Sequence, residues 1–263
     1  MIIPPLHGTL EQPGFFIYVA ADSKYFDRFG VTLINSVTRN TAYGIHVHLY
    51  NPTDAQLEFC RSNTRVSVTW EYIADAQFNS AWDFWSQYNL PEPYQSRKNK
   101  MLGMKQFRDN TDLESWLYKT YYACMRFVRL AEIVKTPQRF LEIDIDGLVR
   151  GTFADHFTDG CDFHLYQKEK GGHLAGAILY NDTDRALSFI KELAQVIRAE
   201  IERDNIYWFL DQHSLDAVIV KYQRGLLPIS YVDWHMQPNS AIWSAKGRRK
   251  ELEVFKREQQ KYQ

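Results

Sequence analysis

Three carboxylates occupy alternate positions near the middle of the chain: Glu142, Asp144 and Asp146, within Arg139-Phe-Leu-Glu-Ile-Asp-Ile-Asp-Gly147. A β-strand sends successive side chains to opposite faces. The three acids therefore share one face, and Leu141, Ile143 and Ile145 share the other. Like charges in a row repel, and burying an unpaired charge is costly, so the row persists only against a cation or basic side chains. Gly147 is expected to end the strand, leaving Asp144 and Asp146 at its C-terminal tip, where open α/β sheets bind ligands. The chemistry that follows is a divalent-cation site for a phosphorylated ligand. A strand-end acidic pair bonded to loop amides is the plainer alternative.

The elements that must position this tip can be read on either side of it. Phe15–Ala21 is a continuous apolar run, as in a strand buried on both faces, and Asp22-Ser-Lys-Tyr25 follows at its end. Phe29, Leu33, Ile34 and Val37 recur at helical spacing. Ile45–Tyr50 and Val66–Ile73 read as strands, separated by a short helix that Thr53 and Gln56 open with capping-box spacing. This β-α-β-α-β order implies right-handed crossovers and a mostly parallel sheet flanked by helices. Ser115–Lys135 carries Leu117, Tyr121, Cys124, Val128 and Ala131 on one stripe, and Pro137 stops it just before the acidic strand. Beyond it, strands are expected at Cys161–Gln167, Leu174–Tyr180, Leu226–Trp234 and Ile242–Trp243. A helix capped by Asn181-Asp-Thr183 should run to about Asp204, and Trp208–Gln212 opens another, with Asp211 as a possible cap.

Two stretches break the pattern. Between Asp75 and Glu114, Trp82, Phe84, Trp85, Tyr88 and Tyr94 sit among polar residues and prolines, ahead of Arg97, Lys98 and Lys100. An irregular segment of that length is often a ligand-binding loop, and a short helix with a surface loop is the alternative. From Lys246 to Gln263 seven lysines and arginines face three glutamates, as in a solvated terminal helix. Within it, Lys246-Gly-Arg-Arg-Lys250 sets a glycine beside basic side chains, which suits a backbone close to phosphate.

Composition narrows the function classes. At 45% hydrophobic and 24% charged, the 263 residues suit a single α/β domain, with 1–13 as an N-terminal extension and 251–263 as a charged tail. A net charge of -1 gives no reason to expect nucleic acid. Three scattered cysteines, Cys60, Cys124 and Cys161, fit neither a disulfide framework nor a zinc site and suit a reducing compartment. No stretch reaches the roughly 20 apolar residues of a membrane span, and Met1–Gly14 lacks a signal-peptide pattern, so a cytoplasmic location is expected.

In their order and spacing, the β-α-β-α-β start, the Asp-x-Asp tip and the late Gly/Lys/Arg cluster resemble the nucleotide-sugar glycosyltransferases of the GT-A fold. The resemblance is nearest to family 8, the glycogenin and galactosyltransferase type, and runs from about Phe15 to Lys250. It implies an α/β fold with a Rossmann-like central sheet, a nucleoside-diphosphate sugar donor (first a UDP-sugar), and a glycan or small-molecule acceptor. It implies Mn²⁺ or Mg²⁺ held against the diphosphate by Asp144 and Asp146, ions that suit hard oxygen donors. Asp22 and Tyr25 match the first-strand motif that meets the base. Arg126 matches the basic residue that approaches the donor, or else forms a salt bridge to Glu142. Asp211 and Gln212 match the pair beside the donor sugar, although a helix cap also explains Asp211. Lys246, Gly247 and Lys250 match the phosphate-binding end of the C-terminal motif.

The sequence departs from that family in two places. Ser244 stands where the family has a metal-ligating His, and Leu174-Ala-Gly176 stands where it has Asn-x-Gly. His164, His173 and His235 are candidate replacement ligands, and His235 is the first choice because it lies nine positions before Ser244. No carboxylate is identifiable as a general base, which favours retention of anomeric configuration. Two other readings compete. One is a sugar-nucleotide or glycan-binding protein without turnover. The other is a haloacid-dehalogenase-type phosphohydrolase, whose Asp-x-Asp-Gly-Thr motif would need Thr at Leu148 and a place on the first strand.

Overall fold

The computed structural model describes residues 1–74, 113–153, 160–167 and 173–263. The aromatic and basic segment expected to form a ligand-binding loop lies outside the described residues, apart from its last two positions. An eight-stranded sheet forms the centre, in the order β1-β4-β3-β2-β5-β8-β7-β9. Its strands are β1 (His7–Gly8), β2 (Phe16–Asp22), β3 (Gly44–Tyr50), β4 (Val66–Glu71), β5 (Phe140–Ile143), β7 (Phe163–Gln167), β8 (His173–Tyr180) and β9 (Arg224–Leu226). The run β4-β3-β2-β5 is parallel throughout, as the alternating order requires. The outer part is mixed, because β8 lies antiparallel to both β5 and β7. A second sheet of three strands, β10-β11-β6, is built from β6 (Gly147–Val149), β10 (Val232–Asp233) and β11 (Ile242–Ser244).

The apolar run of β2 is buried on both faces because each face has its own core. Phe16 and Tyr18 pack toward helices α3 (Leu113–Ile133), α4 (Asp184–Glu202) and α5 (Leu210–Val218). Ile17 and Val19 pack toward α1 (Val31–Asn40), α2 (Asp54–Arg61), the small sheet and α6 (Glu253–Gln260). The capping box is formed in both directions: Gln56 N–H donates to Thr53 Oγ1 at 3.3 Å, and Thr53 N–H to Gln56 Oε1 at 3.0 Å. Thr183 caps α4 in the same way, accepting from Ala186 N–H at 2.9 Å.

Three expectations are corrected. Gly147 does not end the acidic strand; β5 stops at Ile143, and Gly147 opens β6 in the other sheet. Leu226–Trp234 is not one strand, since Pro228 lacks an N–H and the chain turns there into β10. The terminal helix is not merely solvated: Phe255 and Tyr262 are buried, and Asn35 and Arg39 of α1 donate to backbone carbonyls of Tyr262 and Lys261. The N-terminal extension packs on the sheet, with Gln12 Nε2 donating to the carbonyls of Ile45 and Arg65, both at 3.1 Å.

Candidate functional site

The acidic row rises out of the sheet at the C-terminal end of β5. Leu141, Ile143 and Ile145 all enter one core, which leaves Glu142 and Asp144 facing α3. Arg126 projects from α3 to meet them. Its Nη1 donates to Asp144 Oδ1 at 2.6 Å, its Nε lies 3.2 Å from Glu142 Oε1, and its Nη2 donates to the Ala175 carbonyl at 2.6 Å. The same Nη2 lies 3.5 Å from Asp211 Oδ2. Both roles expected for Arg126 are thus compatible, because it pairs with Glu142 and also lines the cleft. Burial alone would pull this guanidinium toward its neutral form; Asp144, Glu142 and Asp211 together more than offset that and raise its pKa.

Asp146 is held from the other side. Lys250 Nζ donates to its Oδ2 at 2.8 Å and to the Tyr25 hydroxyl at 3.0 Å. Tyr25 is placed by Asp22, whose carboxylate caps the turn Ser23–Tyr25 by accepting from Tyr25 N–H at 2.8 Å. The first-strand motif, the Asp-x-Asp tip and the terminal basic cluster therefore meet at one sheet edge. Gly247 makes this possible for the cluster, since its φ of +67° is left-handed and favours a residue without Cβ. The turn there places Lys246 in the cleft and Lys250 on Asp146. Burial, then the neighbouring Asp144, push the Asp146 carboxyl above its ordinary range, and Lys250 opposes them.

Between these groups lies a cleft of about 180 Å³. Arg126, Asp144, Lys246, Asp211 and Gln212 line it, together with Thr120 and Ala123 of α3 and Ala175 and Gly176 of β8. Trp208 and Phe209 complete the wall, and sequence reasoning did not assign them to the site. Aromatic residues directly before Asp211-Gln212 were a usable signal. The left-handed backbone of Phe209, φ 72°, was not. Asp211 does not cap α5: Phe209 is the N-cap residue, and Asp211 is buried within the first turn against Arg126. Burial raises the Asp211 pKa, and Arg126 opposes the shift.

The aspartates suit a hard cation. Asp146 Oδ1 is buried and has no hydrogen-bond partner among the described residues. Asp144 Oδ2 faces Gly176, where an added Cβ would lie 2.7 Å from that oxygen. Each carboxylate thus commits one oxygen to a basic side chain; the second oxygen of Asp144 lies beside Gly176 and that of Asp146 is buried. Among the described residues no three His, Cys, Asp or Glu side chains gather to hold a metal.

None of the candidate histidines joins the aspartates. His235 is exposed and follows β10, its N–H donating to Asp233 at 2.6 Å. His164 is buried in β7 beside Gly225, and His173 pairs with Asp216. Ser244 lies opposite Gly147 in the small sheet, one residue from Asp146, and is buried.

No sequence family and no curated protein sequence matches the chain. Solved structures do. The galactosyltransferase LgtC, determined in complex with donor and acceptor sugar analogs, superposes with a TM-score of 0.56 at 12% identity, covering 93% of this chain and 95% of LgtC. The glycosyltransferase GlyE of Streptococcus pneumoniae TIGR4 superposes with a TM-score of 0.52 at 14% identity, covering 93% of this chain. The chain spans 60% of the length of GlyE. The fold is that of the GT-A glycosyltransferases. No helix among the described residues is long and apolar enough to cross a membrane.

Proposed function

We propose that the protein transfers a sugar from a nucleoside-diphosphate donor, in the first instance a UDP-sugar, to a hydroxyl of a glycan or small-molecule acceptor. One observation carries this reading: two strand-tip aspartates, three basic side chains (Arg126, Lys246 and Lys250) and the Asp211–Gln212 pair converge at one sheet edge of a GT-A fold. The ligands named for LgtC support the same donor and acceptor classes here. Asp144 and Asp146 would hold Mn²⁺ or Mg²⁺ through their uncommitted oxygens. When bound, such an ion supplies Lewis-acid charge to the departing diphosphate.

The chain's own residues do the rest. Arg126 fixes Asp144 Oδ1, so the second oxygen keeps one direction. Lys246 and Lys250 bring positive charge to the phosphates, and Gln212 and Asp211 border the donor sugar. We propose retention as the outcome, because both carboxylates lining the cleft are already paired with Arg126 and neither stands free as a base. A binding protein without turnover is the second reading. Its support is Ser244 at the expected His position and the neutralisation of both aspartates by side chains of the chain itself.

Thermal shift with nucleoside diphosphates and nucleotide sugars, with and without Mn²⁺, tests the donor class. A ligand at 100 times its dissociation constant should stabilise by about 2.7 kcal/mol. The proposal expects a uridine compound to lead the panel, and only with Mn²⁺ present. A flat panel defeats it. Release of free sugar from the leading donor then separates an enzyme from a binding protein.

A further inference from the structure

Asp146 carries a cation of the chain's own. Lys250 Nζ donates to Asp146 Oδ2 at 2.8 Å and to the Tyr25 hydroxyl at 3.0 Å, and stands 4.8 Å from the centre of the Tyr25 ring. The side chains of Lys250 and Asp146 are only 12% and 9% exposed, so water and salt screen the pair weakly. A divalent ion on either oxygen of Asp146 would share that carboxylate with the ammonium. Like charges that close repel strongly away from bulk water.

Asp144 is paired as well, but with a cation that is fixed. Arg126 is buried, and besides Asp144 its planar guanidinium meets Glu142, the Ala175 carbonyl and Asp211. Lys250 differs in its anchoring. Among the described residues it bonds one carboxylate and one neutral hydroxyl, both through the tip of a flexible four-carbon stem. Its backbone belongs to the turn Gly247–Glu251, where a Cβ added at Gly247 would have no neighbour within 4 Å. Of the two cations on the aspartates, Lys250 is the one free to leave.

A nucleoside diphosphate gives it somewhere to go. Lys246, at the start of the same turn, lines the cleft, so phosphates held there come within reach of the turn's basic side chains. They also offer an ammonium more negative charge than one carboxylate does. We infer that Lys250 is a displaceable counter-cation of Asp146: it opposes divalent-ion binding to nucleotide-free protein and passes to the diphosphate when nucleotide arrives, so that ion and nucleotide bind together. This inference rests on the proposed function and deepens it.

The test titrates Mn²⁺ into nucleotide-free wild type, Lys250→Met and Lys250→Arg, reading free Mn²⁺ by its EPR signal. UDP affinity is then measured for each in Mn²⁺ and in EDTA. Methionine keeps much of the stem without the charge, and arginine keeps the charge. Lys250→Met should bind Mn²⁺ alone roughly tenfold more tightly than wild type, the scale of one neighbouring charge, and should bind UDP more weakly in EDTA. The factor by which Mn²⁺ tightens UDP binding should shrink in that variant, because in wild type part of it is relief of the repulsion. Lys250→Arg should keep the weaker Mn²⁺ affinity of wild type. A lysine that merely braced the site would give the opposite sign, a loss of Mn²⁺ affinity on its removal. Unchanged or weaker Mn²⁺ binding by folded Lys250→Met, or an undiminished Mn²⁺ factor, overturns the inference. Should Lys250→Met not fold, Lys250→Gln carries the same expectations. Failure of the donor reading shows separately, in wild type, as UDP that does not bind or binds equally in Mn²⁺ and EDTA.

Discussion

The sheet carries two buried polar clusters of similar chemistry, and they differ in how their charges balance. The first lies on β3 and β4 and runs from His46 to Glu71, the last residue of β4. His46 bonds Ser67 Oγ at 2.7 Å and Thr69 Oγ1 at 2.9 Å, and His48 bonds Thr69 Oγ1 at 3.0 Å. Glu71, fully buried, is paired with Arg129, which also donates to Glu132 at 2.6 Å and to the Pro4 carbonyl at 2.6 Å. The second lies on β5 and the turn after it, where Glu142, Asp144, Asp146 and Asp211 share Arg126 and Lys250. The first cluster sets two arginines, Arg129 and Arg198, against the buried Glu71 and the partly exposed Glu132, and the N-terminal segment meets it at the Pro4 carbonyl. The second sets four carboxylates against two directly paired basic groups. Of the two clusters, the second is the one that borders the cleft.

Breaking the first cluster should give the largest effect. Arg129→Met strands Glu71 without its partner, and removing one member of a buried ion pair costs about 3–5 kcal/mol. Urea unfolding should show that loss, while UDP affinity of the folded protein is unchanged. If stability holds and UDP binding falls, the division between the clusters is wrong.

The second cluster has a pH signature. Burial pushes the Glu142 carboxyl from 4.5 up to about 7, against the pull of Arg126 and the Tyr180 hydroxyl. The native state therefore keeps a proton that the unfolded chain gives up between those values. Stability contributed by this group is full below pH 4.5 and is lost as pH rises to 7. His46 acts in the opposite sense: burial lowers its pKa to about 3, so its contribution is lost as pH falls from 6.5 toward 3. Comparison with Glu142→Gln isolates the first effect, because Gln mimics the protonated carboxyl. Between pH 5 and pH 8 the variant should gain about 1–3 kcal/mol relative to wild type. A constant difference would show that Glu142 is ionised throughout.

Gly176→Ala sharpens the comparison at the tip alone. The new Cβ would meet Asp144 Oδ2 at 2.7 Å and must displace that carboxylate. Mn²⁺-dependent UDP affinity should drop roughly tenfold, an estimate of one lost or misplaced charged contact, with the melting temperature nearly constant. The smallest expected effect is that of His235→Ala. The residue is exposed and forms no metal-holding group with the aspartates among the described residues, so Mn²⁺-dependent UDP affinity should stay within twofold. A clear loss would restore His235 as a ligand.

Much of the parallel half of the fold was legible because its strands are buried on both faces and its helices announce themselves with caps. The Phe15–Ala21 run, the Thr53–Gln56 box and the Thr183 cap all lie within a residue or two of the observed elements. Alternation along Glu142-Ile-Asp-Ile-Asp146 placed the aspartates at a strand tip. Pattern could not show that Gly147 opens a strand of another sheet, because that pairing is made with Ser244, almost a hundred residues later. Nor could it show the closeness of Gly176 to Asp144, a contact fixed by the antiparallel placement of β8 on β5. The shared use of Arg126 by three carboxylates is likewise tertiary. The aromatic wall of Trp208 and Phe209 depends on a left-handed residue that no propensity rule favours.

The central claim, that Asp144 and Asp146 hold a divalent cation against a nucleoside diphosphate, is tested most directly by calorimetry. UDP is titrated into wild type, Asp144→Asn and Asp146→Asn, in Mn²⁺ and in EDTA, with correction for metal bound by free UDP. Mn²⁺ should tighten UDP binding to wild type by at least tenfold. Linkage requires UDP to tighten Mn²⁺ binding by the same factor. Both variants should lose that gain while remaining folded. UDP affinity that is equal in Mn²⁺ and EDTA, or a full metal effect in both variants, would contradict the account.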